Sequence, residues 1–127
     1  MATVEITKGN FEDVVTRNEM VIVDFWAPWC GPCRGFAPVF EAAARQHADI
    51  VFGKVNADDE QELAAAFNIR SIPHVMFFRE QVIVYAQAGA LPPEGLESII
   101  RQARALDMAA IRKEIAGQQE LVQGPGA

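Results

Sequence analysis

Between Val21 and Phe40 two different hydrophobic periodicities meet, and the join between them carries the chain's two cysteines. Val21-Ile22-Val23-Asp24-Phe25-Trp26-Ala27 is an apolar run broken only by Asp24, the pattern of a central strand covered on both faces. Ala27 to Trp29 form a loop. From Cys33 onward Phe36, Val39, Phe40 and Ala43 recur at the three-and-four spacing of an amphipathic helix. Cys30 and Cys33 therefore stand where a buried strand hands over to a helix N-terminus. Unpaired N–H groups and the positive end of the helix dipole favour a thiolate there. A Cys-x-x-Cys pair so placed can have one thiol lowered from about 8.5 into the range of roughly 3.5 to 7.5. Cys30 is the expected nucleophile, an exposed sulfur at neutral pH, with Cys33 shielded behind it. A mononuclear zinc site needs four ligands, and His47 and His74 lie at unsuitable spacing, so no metal is expected.

Length and charge narrow the class further. A chain of 127 residues favours one domain able to bury a core unaided. Half the residues are hydrophobic and 22% charged, a globular balance. A formal net charge of -6 without a basic cluster argues against nucleic acid, since phosphate neutralisation needs a clustered basic face. The first residues, Met1 to Thr7, lack the basic start and apolar stretch of a secretory signal, and no later segment is long enough to cross a bilayer. The expectation is a cytoplasmic protein without membrane contact. A close cysteine pair in a reducing compartment points to catalysis or metal binding more than to a structural staple.

Taken in order, Thr3 to Thr7 alternate as an edge strand. Asn10 is placed to cap a helix whose inward face is Phe11, Val14 and Val15. Pro38, well inside the helix after Cys33, should kink it. His47, near that helix's end, reads as a surface residue. Ile50 to Asn56 form the next strand, carrying Lys54. Asp58 or Asp59 then caps a short helix over Glu60 to Phe67 that ends at Asn68, within an acidic segment read as a solvated face. His74 to Arg79 and Val82 to Ala88 suggest a hairpin, yet neither Glu80 nor Gln81 favours the positive φ that a tight primed turn needs. Pro92-Pro93 open a helix with Leu96, Ile99, Ile100, Ala103 and Leu106 on one face. Ile111 and Ile115 prolong that spacing, so the helix either runs on or breaks near Asp107 into a second one. Gln118 to Ala127 are expected to be disordered. The implied domains are 1–106 and a C-terminal extension over 107–127.

Trp29-Cys30-Gly31-Pro32-Cys33 resembles the redox motif of the thioredoxin family. So do Val23-Asp24-Phe25-Trp26-Ala27, Gly53-Lys54-Val55-Asn56-Ala57-Asp58, Ile69-Arg70-Ser71-Ile72-Pro73 and Gly89-Ala90-Leu91, in the family's order and spacing. The resemblance spans about residues 3 to 106. It implies an α/β thioredoxin fold, a central five-stranded mixed sheet flanked by four helices, to which the extended or extra C-terminal helix is added.

By the same resemblance the chain is a thiol-disulfide oxidoreductase that reduces protein disulfides through Cys30 and Cys33. Asp24 is then an acid or base for Cys33, acting through water, beside Lys54. The residues alone leave Asp24 open to satisfying backbone donors instead, and Lys54 to being an ordinary snorkelling lysine. The Ile72-Pro73 peptide is implied to be cis. Trp29, Gly31, Pro32, Ile72, Pro73, Ala88 and Gly89 are implied to form an apolar docking surface, although Trp29, like Trp26, also suits a core aromatic. His74 stands where the family usually has threonine, and is either an ordinary strand residue or a modulator of thiolate stability with pH. The chain lacks Gly-x-Gly-x-x-Gly and a phosphate loop, so no cofactor is expected. Electrons are implied to come from a thioredoxin reductase, and the protein to act as a monomer. The rival expectation is a thioredoxin-like co-chaperone, or a docking module that uses the C-terminal helix.

Overall fold

The computed structural model describes residues 2–123. Its order is β1 (Val4–Glu5), α1 (Phe11–Arg17), β2 (Met20–Trp26), α2 (Gly31–Gln46), β3 (Val51–Asn56), α3 (Gln61–Ala66), β4 (His74–Arg79), β5 (Val82–Ala88), α4 (Pro93–Ala105) and α5 (Met108–Gln123). The five strands form one sheet in the order β1-β3-β2-β4-β5. The βαβ crossovers make β1, β3 and β2 parallel, while the short hairpin makes β4 and β5 antiparallel additions. The apolar run thus supplies the central strand, with Val21 to Phe25 all buried.

Alternation along β2 divides its side chains between two cores. Ile22 meets Phe36, Phe40, Phe52, Phe77, Leu96 and Ile100 on the side covered by α2 and α4. Val21, Val23 and Phe25 meet Val15, Val55, Leu63 and Met76 on the side covered by α1 and α3. Close approach of β1 to β3 requires Gly53, because a Cβ there would overlap Ile6 Cδ1.

Several local expectations are corrected. Asn10 precedes α1 but makes no side-chain cap; its side chain reaches backward, accepting from Thr7 N at 2.8 Å and donating to Glu5 O at 2.9 Å. Glu60, not Asp58 or Asp59, occupies the cap position of α3, without a side-chain bond. Asn68 does adopt the left-handed conformation, at φ 56°. The acidic segment is a solvated face, with Asp58, Asp59 and Glu62 exposed; on it Glu60 accepts from Lys8 N at 2.6 Å and Glu62 pairs with Lys8 Nζ. His47 is no free surface residue: Glu97 lies 2.9 Å from its Nε2 and Arg104 3.1 Å from its Nδ1.

The apolar face of α4 packs as read, with Leu96, Ile100 and Ala103 buried. The chain then breaks at Leu106, which takes an extended conformation, and Asp107 starts α5 by accepting from Ala110 N at 3.1 Å. Helix α5 continues to Gln123, past Gln118 where disorder is expected; Gln118, Gln119, Glu120 and Leu121 are all good helix formers. The rest of the expected disordered tail, 124–127, lies outside the described residues.

Candidate active site

The handover from β2 to α2 places both cysteines. Cys30 is the N-cap of α2, with φ -85° and ψ 110°, and Pro32 sits in the first turn, where its missing N–H is not needed. One turn of helix returns Cys33 to Cys30. Their Cα atoms are 5.2 Å apart and their sulfurs form a disulfide. The Cys33 backbone N–H, one of the orphan donors of the helix start, donates to Cys30 Sγ at 3.2 Å. The same donor is positioned to stabilise a thiolate on Cys30 once the disulfide opens.

The pair is more recessed than its sequence suggests. Cys30 is 4% exposed and Cys33 2%. Ala27 packs with both, Trp26 and Ile72 lean against them, and Ile72 O lies 3.7 Å from Cys30 Sγ. The exposed sulfur expected from the sequence is not found: with the disulfide closed, both cysteines are buried.

The Ile72–Pro73 peptide is cis. Pro73 O accepts from Gly89 N at 2.7 Å, and Gly89 has φ 113°, a conformation that side chains oppose. This bond ties the loop before β4 to the end of β5, where Ala88 pairs with His74. Trp29, Gly31, Pro32, Ala88 and Gly89 are exposed, Ile72 is half-buried and Pro73 is buried. Trp29 is 68% exposed, so it is not a core aromatic, and its indole N–H donates to Asp58 at 3.1 Å. Asp58 is a contact missed in the sequence. A local signal exists, since Asn56 Oδ1 accepts from Asp58 N at 3.0 Å in a side-chain-closed turn that Asn-x-Asp spacing favours. Arg34 also lies beside the dithiol turn, donating to Pro28 O at 2.8 Å.

Asp24 is fully buried, and neither carboxylate oxygen has a hydrogen-bond partner among the described residues. The reading in which it satisfies backbone donors does not describe it. Burial raises its pKa from 3.8 to about 7, against the opposing charge of Lys54, its register partner on β3. Lys54 Nζ sits 4.8 Å from the centre of the Trp26 ring, a cation over an aromatic face. Beside them Thr3, Val4, Glu5, Asn56 and Asp59 complete a cleft of about 320 Å³ that leads from solvent to Lys54. His74 packs edge-on to Phe25, and burial lowers its pKa below the usual 6.5; its Nδ1 has no partner among the described residues.

A bonded cysteine pair at a helix N-terminus, beside a cis-proline loop at the end of a mixed sheet, defines a thiol-disulfide oxidoreductase. The chain belongs to the thioredoxin family, whose model matches residues 2–102. It is similar to a Streptomyces coelicolor protein named "Putative thioredoxin 2", at 57% identity over 93% of this chain and 88% of that one. The thioredoxin of Haemophilus influenzae is 41% identical over 76% of this chain and 92% of its own. Among solved structures, a thioredoxin from Plasmodium falciparum superposes with a TM-score of 0.74 at 33% identity, covering 79% of this chain and 98% of that one. The protein is a disulfide reductase of this family. Its described residues include no helix long and apolar enough to cross a membrane.

Proposed function

We propose that Cys30 thiolate attacks one sulfur of a substrate protein's disulfide, forming a mixed disulfide and releasing the other sulfur as a thiolate that takes up a proton. Cys33, deprotonated as it reacts, attacks Cys30 Sγ; the substrate leaves with both sulfurs as thiols, two electrons having passed to it from the Cys30/Cys33 dithiol, which is left as the Cys30–Cys33 disulfide. The observation that carries this reading is the bonded pair itself, with the Cys33 N–H directed at Cys30 Sγ. Asp24 takes the Cys33 proton through water. Its raised pKa near 7 supports that role, because an acid or base works best near the operating pH. Lys54 tunes Asp24. Trp29, Gly31, Pro32, Ile72, Pro73, Ala88 and Gly89 receive the substrate chain around Cys30. The protein acts as a monomer in the cytoplasm, and a thioredoxin reductase returns its electrons.

Insulin reduction driven by dithiothreitol tests the reading. Cys30→Ser is expected to lose at least ~10³-fold of the catalysed rate, as removal of a covalent nucleophile does; a rate equal to wild type removes the claim. Cys33→Ser is expected to trap substrates covalently on Cys30. Adducts recovered on Cys33 of the Cys30→Ser variant alone reverse the assigned roles.

A further inference from the structure

The β4–β5 turn is built from residues that oppose its shape. Glu80 and Gln81, its two central residues, have φ 51° and 68°, the left-handed pair of a tight primed turn that Asn and Gly tolerate and longer side chains resist. The structure surrounds this turn with contacts from elsewhere. Glu80 N donates to Glu19 O at 2.7 Å, and the Glu80 carboxylate accepts from Arg112 on α5. The residue before the turn, Arg79, reaches the other side of the same junction. Its guanidinium donates to Ala103 O and Leu106 O, each at 2.8 Å, and to Arg104 O at 3.2 Å, closing the C-terminus of α4.

Helix α5 is aimed by these contacts. Asp107 caps its first turn, Met108 is 4% exposed, and Arg112 lies four residues on from Met108, on the same helix face. One face of the first two turns thus carries a buried residue and then the cation that reaches the turn. We propose that α5 is a strap that holds the β4–β5 turn in its left-handed conformation, so that the folded unit extends past residue 106 through at least Arg112. The strap lies at the far end of β4 from Pro73, so it acts on the sheet's stability and not on the dithiol. The 57%-identical Streptomyces relative aligns with 93% of this chain, which takes the similarity beyond α4 into α5.

Amide hydrogen exchange on the full chain tests the strap. Arg112→Ala is expected to speed exchange of the Glu80 amide about three- to five-fold, the scale of losing a half-exposed ion pair, and to leave the central amides of β2 and β3 unchanged. Adding Glu80→Asn and Gln81→Gly to Arg112→Ala should return wild-type protection, because that pair holds the turn unaided. The charge swap Arg112→Glu with Glu80→Arg should return it as well. Insulin reduction should match wild type in every variant. The proposal is overturned by an unchanged Glu80 amide in Arg112→Ala, by a loss that neither rescue restores, or by a loss spread evenly through β2 and β3.

Discussion

Strand β4 begins beside the dithiol and ends under the α4–α5 junction, and polar groups at these two poles are treated in opposite ways. At the first pole Asp24, which pairs in register with Val75 of β4, is buried with no partner among the described residues, and His74 keeps an unpartnered Nδ1. At the second, Arg79 meets three carbonyls and Glu80 is held by Glu19 and Arg112. Pairing there is not total, since Arg79 Nε lacks a partner among the described residues. Unpaired burial, which lowers stability, is thus concentrated at the pole where proton transfer by Asp24 is proposed, while the distant pole supplies compensating order.

Asp24 gives this contrast its most severe test. The unfolded chain ionises it near 3.8 and the folded chain only near about 7, so between these values the folded protein holds the extra proton. Its contribution to stability therefore falls as pH rises from about 4 to about 7 and stays low above that. Asp24→Asn is expected to stabilise the protein by roughly 3–4 kcal/mol at pH 8, and by little at pH 4, in urea unfolding. The same substitution should slow insulin reduction by about 10- to 100-fold. A variant that is more stable and equally active would show that the unpaired carboxylate has no part in the chemistry.

Arg79→Ala should have the opposite sign at the other pole. Loss of its charged hydrogen bonds is expected to destabilise by roughly 2–3 kcal/mol with insulin reduction unchanged. Between the poles, Gly53→Ala is expected to cost about 1–2 kcal/mol, because Ile6 must move to admit the methyl group. The smallest change is Trp29→Phe, which removes the indole bond to Asp58 at an exposed site. Its effect on melting should stay below about 1 kcal/mol, so any larger loss of activity would mark Trp29 as a docking residue.

How much of this was legible follows the range of the interaction. Val21 to Ala27 and the Phe36-Val39-Phe40-Ala43 spacing identify β2 and α2 because period and burial agree, and the cysteines fall at their join. The cis peptide of the Ile72–Pro73 loop was legible only through family resemblance, as base rates favour trans. Asn10 and Asp58 were misread because a short polar side chain has donors and acceptors on both sides within reach; Asn10 turned back to Thr7 and Glu5 just before it, and Asp58 to Trp29, 29 positions away. His47 looked like a surface residue because Glu97 and Arg104 are 50 and 57 positions away in sequence. The left-handed Glu80 and Gln81 run against local preference, and the contacts around them are likewise remote.

The shallow recess of Cys30 has a consequence for partners. With Cys30 4% exposed and the Ile72 carbonyl 3.7 Å from its sulfur, a narrow strand would reach it more readily than a broad convex surface. Such an entrance would act as a geometric filter: a disulfide on a protruding loop or a loosened segment would lie across it, whereas one sunk in a rigid globule would not be brought into line. Selection of clients would then begin with how far their cystine stands out, before any side chain beside it is read.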